Sequence, residues 1–534
     1  MPTDKDAHWY NMKHENRGKC VIFNHEDYDE DFEFDKREGS AKDVEIIQIS
    51  FGNLGFTVET HNNLTYYDIK HVLKNLQEED HSKNDCICIF VLSHGLEKNL
   101  LCAYDVAYPL DKIWKPFTGD KCESLAGKPK LFFFQACRGD NFDLGFTFSG
   151  SSDSSETDSS AASYKIPNHA DFLFAYSTVQ GFRSWRNPED GSWYIQSLCK
   201  IINNYGDKVA LAKMMTMTLR KVATEYSSLP SDNATEKHQK QMPVFTTTLL
   251  KNLRLTKKNI SSSLEEMLIN NDSHWYNMNH KNRGKCIIFN HDIFNTGPEQ
   301  RQGSAKDVER IQISFDNLGF IVKVHNNLTY DEIKDELMKL RREDHSENDC
   351  LCIFVLTHGL SKNLLKAKDK TYPLDVIWKP FTADKCKSLA EKPKLFFFQT
   401  NRGEKLDPGI TIERNNYKII ETDTGTTDSG SDKIPTHADF LFAYSTFPEF
   451  SSWRNIEEGS WYIQSLCEIL DDHAHEMGLA RMLTMTSRKV ATEYSSYASN
   501  YGHDMKQIPT ITTTLLRNVF FTKKQKPKSN KRRC

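Results

Sequence analysis

Cys86-Ile87-Cys88-Ile89-Phe90-Val91-Leu92 is an unbroken apolar run that leads straight into Ser93-His94-Gly95. Continuous rather than alternating hydrophobicity marks a strand buried on both faces. Cys20-Val21-Ile22-Phe23-Asn24, Leu131-Phe132-Phe133-Phe134 and Asp171-Phe172-Leu173-Phe174-Ala175-Tyr176 read the same way. Helical spacing lies between these runs. Val44, Ile47, Phe51 and Leu54 recur behind Ser40, which is expected to cap the helix with Asp43 three positions on, and Gly55 closes it. Thr65 opens a second helix carrying Ile69, Leu73 and Leu76. Further helices are expected from Ser192 to about Tyr205 and from Val209 to Tyr226, a strand over Phe56 to Glu59, and a β-rich close over Thr246 to Leu255. Strands alternating with helices predict an α/β domain: a mostly parallel sheet with helices on both faces.

Everything in that reading occurs twice. His8-Trp9-Tyr10-Asn11-Met12 returns at His274 to Met278, Gly39 to Glu45 at Gly303 to Glu309, and Gly191 to Cys199 at Gly459 to Cys467. The repeat is a whole domain in tandem, with residues 1–256 as the first, 257–273 as a linker, 274–522 as the second and 523–534 as a basic tail. A chain of 534 residues exceeds what one hydrophobic core supports. Hydrophobic residues at 38% and charged residues at 27% describe a soluble globular protein. No apolar run is long enough to span a membrane, and the start lacks a signal peptide. A net charge of −4 gives no reason to expect nucleic acid as a partner. Thirteen cysteines without an export signal suggest reduced thiols and a cytoplasmic setting. The Lys523 to Arg533 run is read first as a solvated tail and second as a nuclear address. No cofactor and no metal are expected: Cys86 and Cys88 share one face of a buried strand and lack zinc spacing.

Open α/β sheets carry their sites beyond the carboxyl ends of strands. One strand here ends in Ser93-His94-Gly95 and another in Gln135-Ala136-Cys137-Arg138-Gly139. A thiol needs a base to become a nucleophile near neutral pH, and His94 can serve Cys137. The main-chain N–H groups of Gly95 and Cys137 suit an oxyanion hole. No acidic third member stands out.

The Gln135 to Gly139 string, with a His 43 positions upstream, resembles the active-site signature of the caspase family. Gly127 to Leu131, Ile166-Pro167, Ser184-Trp185-Arg186-Asn187 and Arg220 to Glu225 resemble the family too, and the likeness extends over nearly all of both copies. It implies a caspase-like three-layer sandwich present twice, and a cysteine endopeptidase that cuts proteins after aspartate in exposed loops. Arg37, Arg186 and Gln135 match the aspartate pocket, and Trp185 and Trp193 the neighbouring aromatic walls. Planar guanidinium forks hold a carboxylate bidentately. The second copy reads Gln399-Thr400-Asn401-Arg402-Gly403, so an amide replaces the nucleophile while Arg301, His358, Gln399 and Arg454 remain. That copy is expected to be a pseudo-protease.

Low-complexity segments, Ser149 to Ser160 and Glu421 to Ser431, interrupt the two copies at matching places. The resemblance makes them processing loops. Asp158 is the first expected cut, Asp153 the second, and Asp423 the counterpart in the second copy. Only seven residues precede the first repeated string, which predicts an executioner rather than an initiator, acting in apoptosis. An upstream activating caspase and inhibitor proteins are implied partners. The resemblance implies joining through the final strands, Thr246 to Leu250 and Thr512 to Leu516, and the two copies are expected to pair there within the chain, with pairing between chains as the rival. The alternative function is a non-catalytic regulator of another caspase.

Overall fold

A computed structural model describes residues 7–30, 32, 34–138, 146–148, 164–227, 239–255, 274–295, 300–360, 363–403, 405, 407, 410–412, 432–498 and 502–524. The first copy contributes strands β1 (Lys19–Asn24), β2 (Thr57–Asn62), β3 (Ile87–Leu92), β4 (Lys130–Gln135), β5 (Phe172–Tyr176) and β6 (Val244–Thr247). Its long helices are α1 (Ser40–Asn53), α2 (Tyr66–Glu78), α3 (Trp193–Tyr205) and α4 (Leu211–Glu225). The second copy repeats them as β7 (Lys285–Asn290), β8 (Ile321–Asn326), β9 (Leu351–Leu356), β10 (Lys394–Gln399), β11 (Phe440–Tyr444) and β12 (Thr510–Thr513). Its helices are α5 (Ser304–Asn317), α6 (Tyr330–Arg342), α7 (Trp461–His473) and α8 (Leu479–Glu493).

Within the first copy, β2, β1, β3, β4 and β5 run parallel and β6 closes antiparallel. Alternation along each strand divides the core into two layers. Cys88, Phe90, Leu131 and Phe133 pack under α1, α3 and α4. Ile87, Ile89, Val91, Phe132 and Phe134 pack under α2 on the opposite face. The central strands β3 and β5 are apolar throughout because both faces are covered, whereas the edge strand β2 (Thr57–Asn62) alternates polar residues. Cys86 and Cys88 are core thiols, packed with Cys20 and Cys199.

Two local expectations are corrected. Ser40 is the first residue of α1 and not its cap: the cap is Gly39, in the left-handed region with φ 80°. Ser40 Oγ instead donates to Asn24 Oδ1 and accepts from Arg37 Nη1 at 3.0 Å. Asp43 turns away from the helix end and accepts the Ser192 N–H at 2.8 Å. The closing strand is Val244–Thr247, earlier than Thr246 to Leu255, because past Thr248 the N–H groups turn to other partners: Leu249 N–H donates to Thr247 Oγ1 at 3.0 Å and Leu250 N–H to the Tyr10 hydroxyl at 2.9 Å.

The two copies share one twelve-stranded sheet, in the order β8-β7-β9-β10-β11-β12-β6-β5-β4-β3-β1-β2. At its middle β6 and β12 pair antiparallel, with Phe245 opposite Thr513, Thr246 opposite Thr512 and Thr247 opposite Ile511. The Thr246 and Thr512 hydroxyls lie 3.0 Å apart. Shorter strands also cross: Ile410–Ile412 pairs with Tyr164–Ile166, and Asp432–Ile434 with Phe146–Phe148. Buried Asp407 accepts the Asn168 N–H at 3.1 Å, and Trp114 meets Phe447 edge-on at 5.7 Å. The linker, and the tail from residue 525, lie outside the described residues.

Candidate active site

Leu92 at the end of β3 lies opposite Gln135 at the end of β4, so the segments leaving the two strands emerge side by side. The Ser93 N–H donates to Gln135 O at 3.1 Å. Gly95 makes the next approach possible: a Cβ there would stand 2.2 Å from the Cys137 carbonyl oxygen. His94 and Cys137 are thereby held on adjoining segments.

The His94 N–H donates to the Tyr28 hydroxyl at 2.9 Å, and its ring stacks on Phe34 at 5.1 Å. His94 Nε2 lies 2.9 Å from the Asp35 carbonyl. A carbonyl only accepts, so Nε2 carries the hydrogen and Nδ1 keeps its lone pair. Burial pushes the His94 pKa below the ordinary histidine value, the Asp35 bond opposes this, and the Arg37 and Arg186 charges reinforce the lowering. The ring is therefore a neutral acceptor at neutral pH. Cys137 alone among the described cysteines is not buried. Its sulfur receives the Ser184 N–H at 3.4 Å.

Two guanidiniums and an amide converge beside this pair. Arg37 is 1% exposed, and its Nη1 donates to His25 O at 2.8 Å and to Ser40 Oγ. Its Nη2 is buried without a partner among the described residues. Arg186 Nε donates to Glu38 O at 2.6 Å, and burial followed by the Arg37 charge pushes its pKa down to about 10. Gln135 Nε2 donates to Ser184 Oγ at 2.7 Å and keeps a second N–H. A carboxylate complements such a set. Trp185 stacks on Trp193 at 5.8 Å, and Trp193 on Tyr226 at 5.4 Å, so three rings form a wall.

The second copy reproduces most of this. Arg301 Nη1 donates to His291 O and Ser304 Oγ, Arg454 Nε to Gln302 O, and Gln399 Nε2 to Ser452 Oγ at 2.7 Å. Burial, then the Arg454 charge, pushes Arg301 down to about 9. Trp453, Trp461 and Tyr494 repeat the stacked rings. Asn401 occupies the Cys137 position, and its Oδ1 accepts the Ser452 N–H at 2.9 Å. His358 keeps its place before Gly359, where a Cβ would stand 2.0 Å from Asn401 O. Phe294 replaces Tyr28, so the hydroxyl that receives the His94 N–H has no counterpart.

Sequence reasoning named the side chains brought together here but missed their supports. The partner of His94 is a main-chain oxygen, which leaves no side-chain signal. Ser184 stands within a quoted string, yet its three contacts depend on where the loop turns. Gln241, whose Oε1 accepts the Trp185 N–H at 2.7 Å, carries no local pattern. Asp153, Asp158 and Asp423 lie outside the described residues, as does Gly139. Among the described residues no helix is long and apolar enough to cross a membrane.

The caspase domain model matches residues 17–254 and again 283–521. The chain is 43% identical to caspase drICE of Drosophila melanogaster over 261 residues, 49% of this chain and 76% of that protein. It is 43% identical to caspase-7 of Gallus gallus over 246 residues, 46% of this chain and 79% of that one. The crystal structure of caspase-1 from Spodoptera frugiperda aligns at 41% identity with a TM-score of 0.45, covering 48% of this chain and 99% of that one. The chain belongs to the caspase family, with the family domain present twice. It is an aspartate-directed cysteine endopeptidase with effector caspases among its relatives, and its role is that of a cysteine protease in apoptosis.

Proposed function

We propose that this is an executioner-type caspase in which the first domain, residues 1–256, performs the cleavage, and the second, residues 274–522, is its catalytically inert partner. Cys137 is the nucleophile. Its thiol proton passes to His94 Nδ1 as sulfur bonds to the scissile carbonyl carbon, and the N–H groups of Gly95 and Cys137 stabilise the oxyanion. His94 returns the proton to the departing amine as the C–N bond breaks. Water then hydrolyses the thioester and leaves a new carboxyl-terminal aspartate. Arg37, Arg186 and Gln135 hold the aspartate side chain. Trp185 and Trp193 flank the residues before it.

The observation that carries this reading is the buried Arg37 Nη2, without a partner among the described residues, beside Arg186, which in turn lies near Cys137, the one described cysteine that is not buried. Pairing of the two domains within one chain is supported by the β6–β12 seam. Activation by cuts at Asp158 or Asp153, with Asp423 as the second-copy counterpart, and a cytoplasmic location complete the proposal. An electrophilic peptide ending in aspartate tests it. Stoichiometric labelling at Cys137, one adduct per chain by mass spectrometry, is expected. A folded protein left unlabelled would overturn it.

A further inference from the structure

His94 is held by its main chain as well as by its ring. Its N–H donates to the Tyr28 hydroxyl at 2.9 Å, and its carbonyl accepts the Cys102 N–H at 3.1 Å. The hydroxyl of Ser93, a residue 2% exposed, donates to Cys102 O at 2.5 Å. A serine has one hydroxyl hydrogen, so with that hydrogen on Cys102 O the Ser93 oxygen is left as an acceptor. Tyr28 Oη lies 3.1 Å from it, nearer than the 3.3 Å to the His25 carbonyl, and donates there. The bonds therefore close a circuit. It runs from His94 N–H to Tyr28, from Tyr28 to Ser93 and from Ser93 to Cys102 O, and the Cys102 N–H returns it to His94 O. Burial pushes the Tyr28 phenol above its ordinary range, so it stays a hydroxyl at neutral pH.

The second copy supplies a comparison within the same chain. Phe294 keeps the ring contact, 5.1 Å from His358 as Tyr28 is 5.1 Å from His94. Thr357 donates to Lys366 O at 2.5 Å, and the Lys366 N–H donates to His358 O at 3.0 Å, so that half of the circuit is kept as well. What the second copy lacks is the phenolic oxygen. The copy with the nucleophile has it, and the copy with Asn401 does not.

We propose that Tyr28 is a positioning residue for cleavage, and that its hydroxyl acts on two groups at once. The imidazole is carried by the residue whose N–H Tyr28 holds. The Gly95 N–H lies in the same peptide plane as the His94 carbonyl that Cys102 holds, so its direction is fixed with that plane. A slip of His94 would move base and oxyanion donor together, and such a misplacement is felt in the transition state more than in substrate binding. Tyr28 itself touches no reacting atom. This rests on the reading of His94 as the base and of the Gly95 N–H as an oxyanion donor.

Tyr28→Phe in the full chain removes one oxygen and installs the residue that the second copy accommodates at the matching place, so the fold is expected to be kept. Steady-state kinetics on an aspartate peptide should show kcat lowered about five- to tenfold, with KM within about twofold of wild type. Ser93→Ala breaks the circuit at its next member and should lower kcat in the same way. The double variant should lose no more than the larger single loss, because both changes open one circuit. A wild-type chain that the aspartate-bearing electrophile fails to label at Cys137 would strike the reading of the catalytic site, and this proposal with it. With wild type labelled, an unchanged kcat in Tyr28→Phe, a loss confined to KM, or additive losses in the double variant would overturn this proposal alone.

Discussion

Cys137 and His94 were legible as side chains because nucleophile and base are residue types. The group that orients His94 was not, since Asp35 acts through its main-chain oxygen. Cys137→Ala should abolish cleavage and leave the thermal midpoint nearly unchanged, because the sulfur is partly exposed and makes one N–H contact. His94→Ala should lower kcat by about 10²–10⁴-fold, the worth of positioned proton transfer. Near-normal turnover in either variant would remove that residue from the mechanism. The pH profile follows from the sign of the His94 shift. The base must be neutral, and burial pushes its pKa below the ordinary value of 6.5. Activity should therefore persist below pH 6.5 and fall only as the pH passes through the lowered pKa. An acid limb of kcat/KM centred above 6.5 would contradict the assignment. Arg186→Ala should cost on the order of 2–5 kcal/mol of transition-state binding to aspartate substrates, as for a desolvated charge pair losing one member. Steady-state kcat/KM measures it directly.

The apolar runs made β3, β4 and β5 legible as elements, since burial on both faces leaves no polar residue to break the pattern. Thr65 opens α2 as expected, its side chain accepting the Asp68 N–H, but the start of α1 was read less well. Ser40 and Asp43 have the composition of a capping pair, yet tertiary contacts claim both side chains: Ser40 for Asn24 and Arg37, Asp43 for Ser192. Local pattern cannot anticipate a partner 149 residues away in the chain. Asp43 thereby fastens α1 to the hairpin whose strands Arg186–Asn187 and Gly191–Ser192 carry the pocket arginine. Asp43→Ala is expected to reduce kcat/KM through displacement of Arg186 and to lower the thermal midpoint, because the Ser192 N–H and Oγ lose their acceptor. An unchanged kcat/KM would separate Asp43 from the site. The seam is a second test at this scale. Thr512→Pro removes a ladder N–H from the strand between β6 and β11, and should disrupt the pairing of the copies.

The tandem repeat made the duplication visible across the whole molecule, and the resemblance pointed to the final strands as the joining edge, but not to the register in which they meet. A closing segment that reads Thr-Thr-Thr-Leu-Leu has the same sequence whether its edge faces solvent, a sister copy or another chain, so the sequence does not determine the β6–β12 register. Each copy also carries its own acid-sensitive histidine. His25 is buried with both ring nitrogens unpartnered among the described residues, and burial pushes its pKa down to about 3; burial likewise lowers His291 to about 4. A lowered folded-state pKa means that protonation favours the unfolded chain. These groups stabilise the fold fully above pH 6.5, and that contribution is lost as pH falls from 6.5 toward their folded-state values. The urea midpoint should therefore decline between about pH 7 and about pH 5, and a flat midpoint would refute this.

The central claim is that the Cys137 domain works within a pair supplied by its own chain. Specific activity measured across dilution from micromolar to nanomolar, with the sedimentation coefficient followed in parallel, tests it most directly. The account predicts a species of single-chain mass whose activity per chain stays constant on dilution. Activity that decays on dilution together with the dissociation of a two-chain species would contradict it.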